Sequence, residues 1–74
     1  MFTFANSKLL FHSGVLKSFS IDRTIGGWLI YLNGVQSGWV IDARTKQPRV
    51  FKSLDACVTS LETIGFTVDR LFYK

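Results

Sequence analysis

Hydrophobic and polar residues alternate over the stretch from Val15 to Ile25, and this alternation predicts a β-strand with one buried and one solvated face. The apolar positions share one parity and the hydroxyl and acidic positions share the other: Val15, Phe19, Ile21 and Ile25 against Ser18, Ser20, Asp22 and Thr24. Ser13-Gly14 precedes this strand and suits a two-residue turn. The residues from Lys8 to His12 are therefore predicted to pair back as the first strand of a hairpin.

A second hairpin is predicted at the centre of the chain. Asn33-Gly34 is a favoured pair for a two-residue hairpin turn, because both positions need positive φ. This turn would place Leu32 opposite Val35 and Trp28 opposite Trp39. One face would carry Trp28, Ile30, Leu32, Val35, Trp39 and Ile41, and the other Leu29, Tyr31, Gln36, Val40, Asp42 and Arg44. Ser37-Gly38 supports an alternative, a longer loop from Asn33 to Gly38 that joins the same strands with different partners.

The hydrophobic period lengthens in the C-terminal third of the chain, which predicts one helix. Ser53 suits its N-cap, Asp55 complements the dipole of its first turn, and Gly65 suits its C-terminal cap. The apolar stripe of this helix comprises Leu54, Cys57, Val58, Leu61 and Ile64. A short strand is predicted on each side of it, from Arg49 to Lys52 and from Phe66 to Tyr73.

Together these elements predict one α+β domain over residues 1–74. It has two layers: an antiparallel meander of four to five strands, with one helix packed on the face that carries the tryptophans and a C-terminal strand. A chain of 74 residues buries a limited share of its surface, yet 47% of this one is hydrophobic and eleven residues are aromatic. This excess predicts a homodimer or a partner that covers one face.

Cysteine content and hydropathy predict a cytoplasmic protein. Cys57 is the single cysteine, so no intramolecular disulfide and no cysteine zinc site can form. The N-terminus lacks the basic start and the small-residue cleavage pattern of a signal peptide. The longest apolar run, from Trp28 to Leu32, is five residues, against roughly 20 for a membrane span. No membrane association is expected.

The formal net charge of +4 is concentrated in one short segment. Its four basic residues, with no acidic residue among them, are Arg44, Lys46, Arg49 and Lys52. The rest of the chain carries five basic and five acidic side chains. A cluster of this kind at one end of a hairpin can contact the phosphates of DNA or RNA. The alternative is a solvated turn whose charges keep an edge strand from aggregating.

A second candidate surface is the sheet face that carries Leu29, Tyr31 and Val40. These side chains could stack nucleic-acid bases beside Arg44. They could equally be covered by the N-terminal hairpin or form the interface with a second copy of the chain. The corresponding function is then a protein-interaction or self-associating module.

The sequence carries no recognisable catalytic or metal-binding set. His12 is the single histidine and has no nucleophile near it in sequence, while Cys57 falls within the apolar stripe of the predicted helix. The five acidic residues are scattered over different elements, and Gly26-Gly27 lacks the following helix of a phosphate-binding loop. We therefore expect no enzymatic activity, no cofactor, no metal and no small-molecule substrate.

Four stretches between residues 27 and 66 are distinctive: Trp28-Leu-Ile-Tyr-Leu, Gly38-Trp-Val-Ile-Asp-Ala-Arg, Pro48-Arg-Val-Phe-Lys-Ser-Leu-Asp-Ala and Leu61-Glu-Thr-Ile-Gly-Phe. In these stretches the chain resembles small proteins carried on plasmids and other mobile elements of proteobacteria. This resemblance implies a mobile-element context, and some such proteins carry replication- or partition-related names. Three strands followed by a helix are also similar, more distantly, to integrase arm domains and Apetala2-type plant factors, which implies DNA binding by the sheet.

Overall fold

A computed structural model describes residues 1–69. Over these residues the protein is an α+β fold, as predicted, with two helices and one antiparallel sheet of three strands in the order β1-β2-β3. The elements are α1 Phe4–His12, β1 Leu16–Thr24, β2 Gly27–Gly34, β3 Gly38–Trp39 and α2 Leu54–Ile64. Neither of these helices is long and apolar enough to cross a membrane.

The N-terminal segment begins a helix where a strand was expected. Thr3 is the N-cap of α1, and its side-chain oxygen accepts a hydrogen bond from the Asn6 amide at 3.2 Å. Ser7 lies on the buried side of the helix, where it is fully covered and donates its hydroxyl to the Thr3 carbonyl at 2.8 Å. The predicted strand from Lys8 to His12 is therefore wrong, because this local capping and a small buried residue favour the helix.

Ser13-Gly14 ends α1 instead of turning a hairpin. Gly14 has a φ of +79°, and its amide donates to the Phe11 carbonyl at 3.1 Å. The next amide, of Val15, donates to the Leu10 carbonyl at 2.9 Å. These two bonds are those of a Schellman motif, which needs a positive φ at the same residue that a hairpin turn would. Gly14 therefore does adopt a positive φ, but it ends a helix and does not turn a hairpin.

The strand predicted from Val15 to Ile25 is confirmed with slightly narrower bounds. β1 pairs with β2 throughout, with Phe19 opposite Leu32 and Ile21 opposite Ile30. A register irregularity between Leu16 and Ser18 turns Leu16 inward, where it is 2% exposed. The paired apolar residues of both strands therefore face the same core.

The predicted Asn33-Gly34 turn is wrong, and the longer loop is the one that forms. β2 continues through these residues along β1, with Asn33 opposite Ser18 and Gly34 opposite Leu16. The chain then loops through residues 35–37 before β3 begins at Gly38, which lies opposite Leu32. Pairing with β1 thus uses the two residues that the turn would have needed.

This pairing exchanges the faces predicted for Trp39 and Val40. Trp39 lies opposite Tyr31, so both side chains are on the same face of the sheet. Val40 belongs to the hydrophobic core with 1% of its surface exposed. The prediction that Val40 joins Leu29 and Tyr31 on one surface is therefore wrong, since the hairpin register differs by an odd number of residues.

Two separate segments of the chain, one at Val40 and one at Phe51, pair with the same edge of β2. The Val40 amide donates to the Ile30 carbonyl at 2.9 Å, and further along β2, Trp28 and Phe51 exchange two backbone hydrogen bonds of 2.8 Å. The strand predicted from Arg49 to Lys52 is present only as this isolated bridge at Phe51. Phe2 forms a parallel bridge with the outer side of Val40.

The C-terminal helix is confirmed with its predicted caps. Ser53 accepts from the Ala56 amide at 3.1 Å through its side chain, and the backbone of Gly65 has a φ of +136°. Leu54 of the apolar stripe is half-buried. The other four stripe residues are buried against the sheet: Cys57, Val58, Leu61 and Ile64. Residues 66–69 have no strand pairing, and the remainder of the predicted C-terminal strand lies outside the described residues.

We expect the Cys57 thiol to react slowly with alkylating reagents in the native protein. Cys57 is fully buried, and this burial raises the pKa of its thiol to about 11. An unfolded cysteine ionises near pH 8.5, so the free energy of unfolding should fall as the pH rises from about 8.5 towards 11. Labelling with iodoacetamide in buffer and in urea measures the difference, and equal rates in both would contradict the observed packing of α2.

Candidate nucleic-acid interface

A hairpin that leaves the sheet between Val40 and Phe51 carries two of the four clustered basic residues, Arg44 and Lys46. We call residues 41–48 the basic hairpin. Its base is closed by an antiparallel bridge between Ile41 and Pro48 and by a hydrogen bond from the Asp42 amide to the Gln47 carbonyl at 2.9 Å. It projects from the end of β2 at which Gly27 lies, because Phe51 returns to pair with Trp28.

Asp42 shapes the tip of the basic hairpin. Its side-chain oxygen accepts from the Arg44 amide at 2.8 Å, and its carbonyl accepts from the Lys46 amide at 2.9 Å. The first of these bonds is the main reason that the pKa of the Asp42 carboxyl is lowered, and the Thr45 amide and the nearby Arg44 and Arg49 charges lower it further against an opposing desolvation. The carboxylate therefore acts as an Asx-type turn former that supports a left-handed Lys46, whose φ is 61°.

The four predicted phosphate-contacting side chains are all exposed: Arg44, Lys46, Arg49 and Lys52. Arg44 makes one loose ion pair, with its Nε 4.0 Å from an oxygen of Asp42, and its side chain remains 91% exposed. An exposed pair of this kind is worth little in water, so the guanidinium stays accessible to another anion. The segment therefore presents its charge outward from an ordered turn.

Two arginines flank an aromatic row at the same end of the sheet. Arg23, Trp28 and Phe51 are neighbours across three adjacent rows, so their side chains lie on one face. The Arg23 guanidinium lies 5.2 Å from the centre of the Trp28 ring, and that of Arg49 lies 5.4 Å from the Phe51 ring. Such stacking orients a guanidinium while leaving its outward N–H groups free to bind phosphate.

Arg23 is a candidate site residue that the sequence did not reveal. It lies 21 residues before Arg44 in the chain, and only the pairing of β1, β2 and Phe51 brings it to the end of the sheet that carries the basic hairpin. We call Arg23, Arg44, Lys46, Arg49 and Lys52 together the basic surface. The sequence gives one indication of it: Arg23 takes a position of β1 whose alternation with Phe19 and Ile21 would otherwise call for an apolar residue.

The second predicted surface is brought together only in part. Leu29 and Tyr31 lie half-buried on the face opposite the core, and Trp39 takes the place that was predicted for Val40. The Tyr31 and Trp39 rings meet edge to face at 4.9 Å. We call this side the open face; on the β1 side it continues with Ser18, Ser20, Asp22 and Thr24.

Both helices pack on the other side of the sheet. The core joins Ile30 and Leu32 to α2, and the Phe11 ring of α1 contacts Phe66, which in turn contacts Phe19. Among residues 1–69, no helix therefore covers the open face. Its aromatic pair is partly accessible from solvent, and both helices lie behind the sheet.

The other reactive side chains do not assemble into a site within residues 1–69. His12 is exposed at the end of α1, whereas Cys57 is buried in apolar surroundings. No group of three or more His, Cys, Asp and Glu side chains suitable for a metal occurs in this part of the chain. A cavity of about 300 Å³ opens between the N-terminal segment, α1 and the loop before β3. None of its lining side chains is titratable, and the lining comprises Met1, Phe2, Asn6, Leu9, Leu10, Gln36 and Ser37.

Comparison with known proteins adds no neighbour. No protein-family model matches the chain, and neither the curated proteins nor the solved structures contain a significant match. The basic surface and the open face are thus the two features from which a function can be inferred. Both lie on β2 and on the segments that pair with it.

Proposed function

We propose that this protein is a non-enzymatic, cytoplasmic nucleic-acid-binding accessory protein of a mobile genetic element. The observation that carries the proposal is the basic surface, in which five exposed cationic side chains gather at one end of the sheet. The mobile-element context rests on the resemblance of residues 27–66 described above.

The charge distribution favours a polyanion over a small anionic ligand. The five cations are spread over a hairpin tip, a sheet edge and the segment before α2, and none of them lines the cavity beside α1. Contacts to successive phosphates require this kind of spread, whereas a single phosphate needs donors that converge. The guanidiniums stacked on Trp28 and Phe51 have fixed positions, which lowers the entropy lost on binding.

Binding is expected to depend on salt in proportion to the number of phosphates contacted. Five neutralised phosphates give a slope of log affinity against log salt that is no steeper than about −4.5 for duplex DNA. Arg49→Ala and Lys52→Ala should each make the slope shallower by about 0.9. Fluorescence anisotropy with labelled oligonucleotides between about 50 and 200 mM salt measures these slopes.

Lys8→Ala is the matched control, since it removes one positive charge from α1, away from the basic surface. It should leave the slope unchanged. If Lys8→Ala and Arg49→Ala weaken binding equally, the attraction comes from overall charge and the basic surface is not the site. If the wild-type protein shows no salt-sensitive binding to DNA or RNA, the alternative function is favoured: a protein-interaction or self-associating module that uses the open face.

A further inference from the structure

We propose that the open face stacks the bases of a single-stranded nucleic acid while Arg44 and Lys46 of the basic hairpin hold its phosphates. This inference rests on the proposed function and specifies its ligand. Tyr31 and Trp39 supply the stacking rings, and both are half-buried side chains on a sheet face that no described helix covers.

The open face has few of the groups that duplex DNA would need from a sheet, and Asn33, opposite Ser18, is one of them. A sheet that enters the major groove uses Arg, Lys, Asn or Gln to contact base edges. The residues on the β1 side of this face are Ser18, Ser20, Asp22 and Thr24, and none is cationic. Unpaired bases, in contrast, expose ring faces that stack on aromatic side chains irrespective of sequence.

Charge and position connect the two surfaces. Trp39 precedes Asp42, at the base of the basic hairpin, by three residues, about 10 Å of extended chain. Arg23 and Arg49 stack on rings of the other side of the sheet, so the cations that can serve this face are Arg44 and Lys46 of the basic hairpin. A strand whose bases rest on the aromatic pair can extend its backbone to these two cations, and single-strand binding sites combine rings and cations in this way.

A second copy of the chain is a poorer occupant of the open face. A stable interface buries about 800 Å² on each partner, roughly a sixth of the 4764 Å² surface of this protein. The apolar part of the face is small and comprises Leu29, Tyr31 and Trp39, with the half-exposed Val50 beside Gly27. Beside it lies the exposed carboxylate of Asp22, and charged residues are depleted from the centres of such interfaces.

The test compares ring removal with ring retention at Trp39. In a Trp28→Phe background, Trp39 is the single tryptophan, and its fluorescence should be quenched when a 15-nucleotide oligo-dT binds. Trp39→Leu and Tyr31→Leu should each weaken single-strand affinity about 5- to 150-fold without changing the salt slope, because base stacking is worth about 1–3 kcal/mol per base. Trp39→Phe should retain most of the affinity, and circular dichroism verifies that each variant is folded.

The controls separate this inference from the proposed function. Leu29→Ala removes apolar area from the same face without removing a ring, and we expect it to weaken binding less than Trp39→Leu does. Salt-sensitive binding that Trp39→Leu does not weaken, or tighter binding of duplex than of single strands, would overturn base stacking and leave the basic surface as the site. Absence of binding to any nucleic acid would overturn both proposals. Light scattering above the 8.4 kDa monomer that returns to it in Trp39→Leu would identify a second copy as the occupant.

Discussion

Leu61→Ala is expected to lower the free energy of unfolding by about 3–5 kcal/mol. Leu61 lies at the centre of the α2 stripe with none of its side chain exposed, so truncation removes buried methyl groups and leaves a cavity between α2 and the sheet. A domain of 74 residues has a total stability of only about 4–11 kcal/mol. Urea denaturation followed by circular dichroism should therefore show a midpoint shifted far towards zero urea.

Leu9→Ala is the matched control for this substitution. Leu9 undergoes the same chemical change in a helix, but 70% of its surface is already exposed. Its truncation should alter stability by no more than about 0.5 kcal/mol. Similar losses for the two variants would mean that α2 does not carry the core and that α1 packs more deeply than the structure shows.

Gly27→Ala is expected to detach the basic segment from the sheet. A methyl group on Gly27 would overlap the carbonyl oxygen of Phe51 and press against the Val50 side chain. The two backbone hydrogen bonds between Trp28 and Phe51 would have to lengthen or break, which costs about 2–4 kcal/mol. Loss of this anchor should also weaken nucleic-acid binding, since Arg49 and Lys52 flank Phe51.

The adjacent glycine provides the comparison. Gly26 has a φ of +89°, but a methyl group there meets nothing within 4 Å. Gly26→Ala should therefore cost only the backbone strain of about 1–2 kcal/mol and leave the binding affinity unchanged. Urea melts and anisotropy titrations of both variants distinguish contact from strain, and equal effects on affinity would argue against the anchoring role of the Trp28–Phe51 bridge.

The part of the fold that could be predicted is the part whose signals are local and agree. α2 has an N-cap at Ser53, an apolar stripe and a positive-φ glycine at Gly65, and all three indicate the same helix. α1 could not be recognised because Gly14 suits either a hairpin turn or a helix end. The buried Ser7 interrupts what would otherwise be an apolar stripe.

The face of β3 depended on a choice between two turns of nearly equal quality. A turn at Asn33-Gly34 would pair Trp39 with Trp28, whereas the structure pairs Trp39 with Tyr31, three residues further along β2. An odd difference in register moves every side chain of the strand to the other face. Pairing of Gly34 with β1 decided between the turns, and that contact is not visible in the hairpin sequence itself.

The candidate site divides in the same way. The cations from Arg44 to Lys52 are contiguous in the chain, so their charge could be recognised directly from the sequence. Arg23 and Trp39 required the tertiary pairing that brings β1, β2 and Phe51 side by side. Long-range pairing of this kind leaves only a weak trace in the sequence.

The basic hairpin is an insertion between two segments that both pair with β2, one at Val40 and one at Phe51. Val40 and Phe51 are each tied to β2 on their own, so the intervening chain closes at a base that does not depend on its tip. Lengthening such a loop costs little entropy, about 0.6 kcal/mol for a doubling. The tip can therefore be lengthened or replaced by engineering while the scaffold, including the core that holds α2, stays the same.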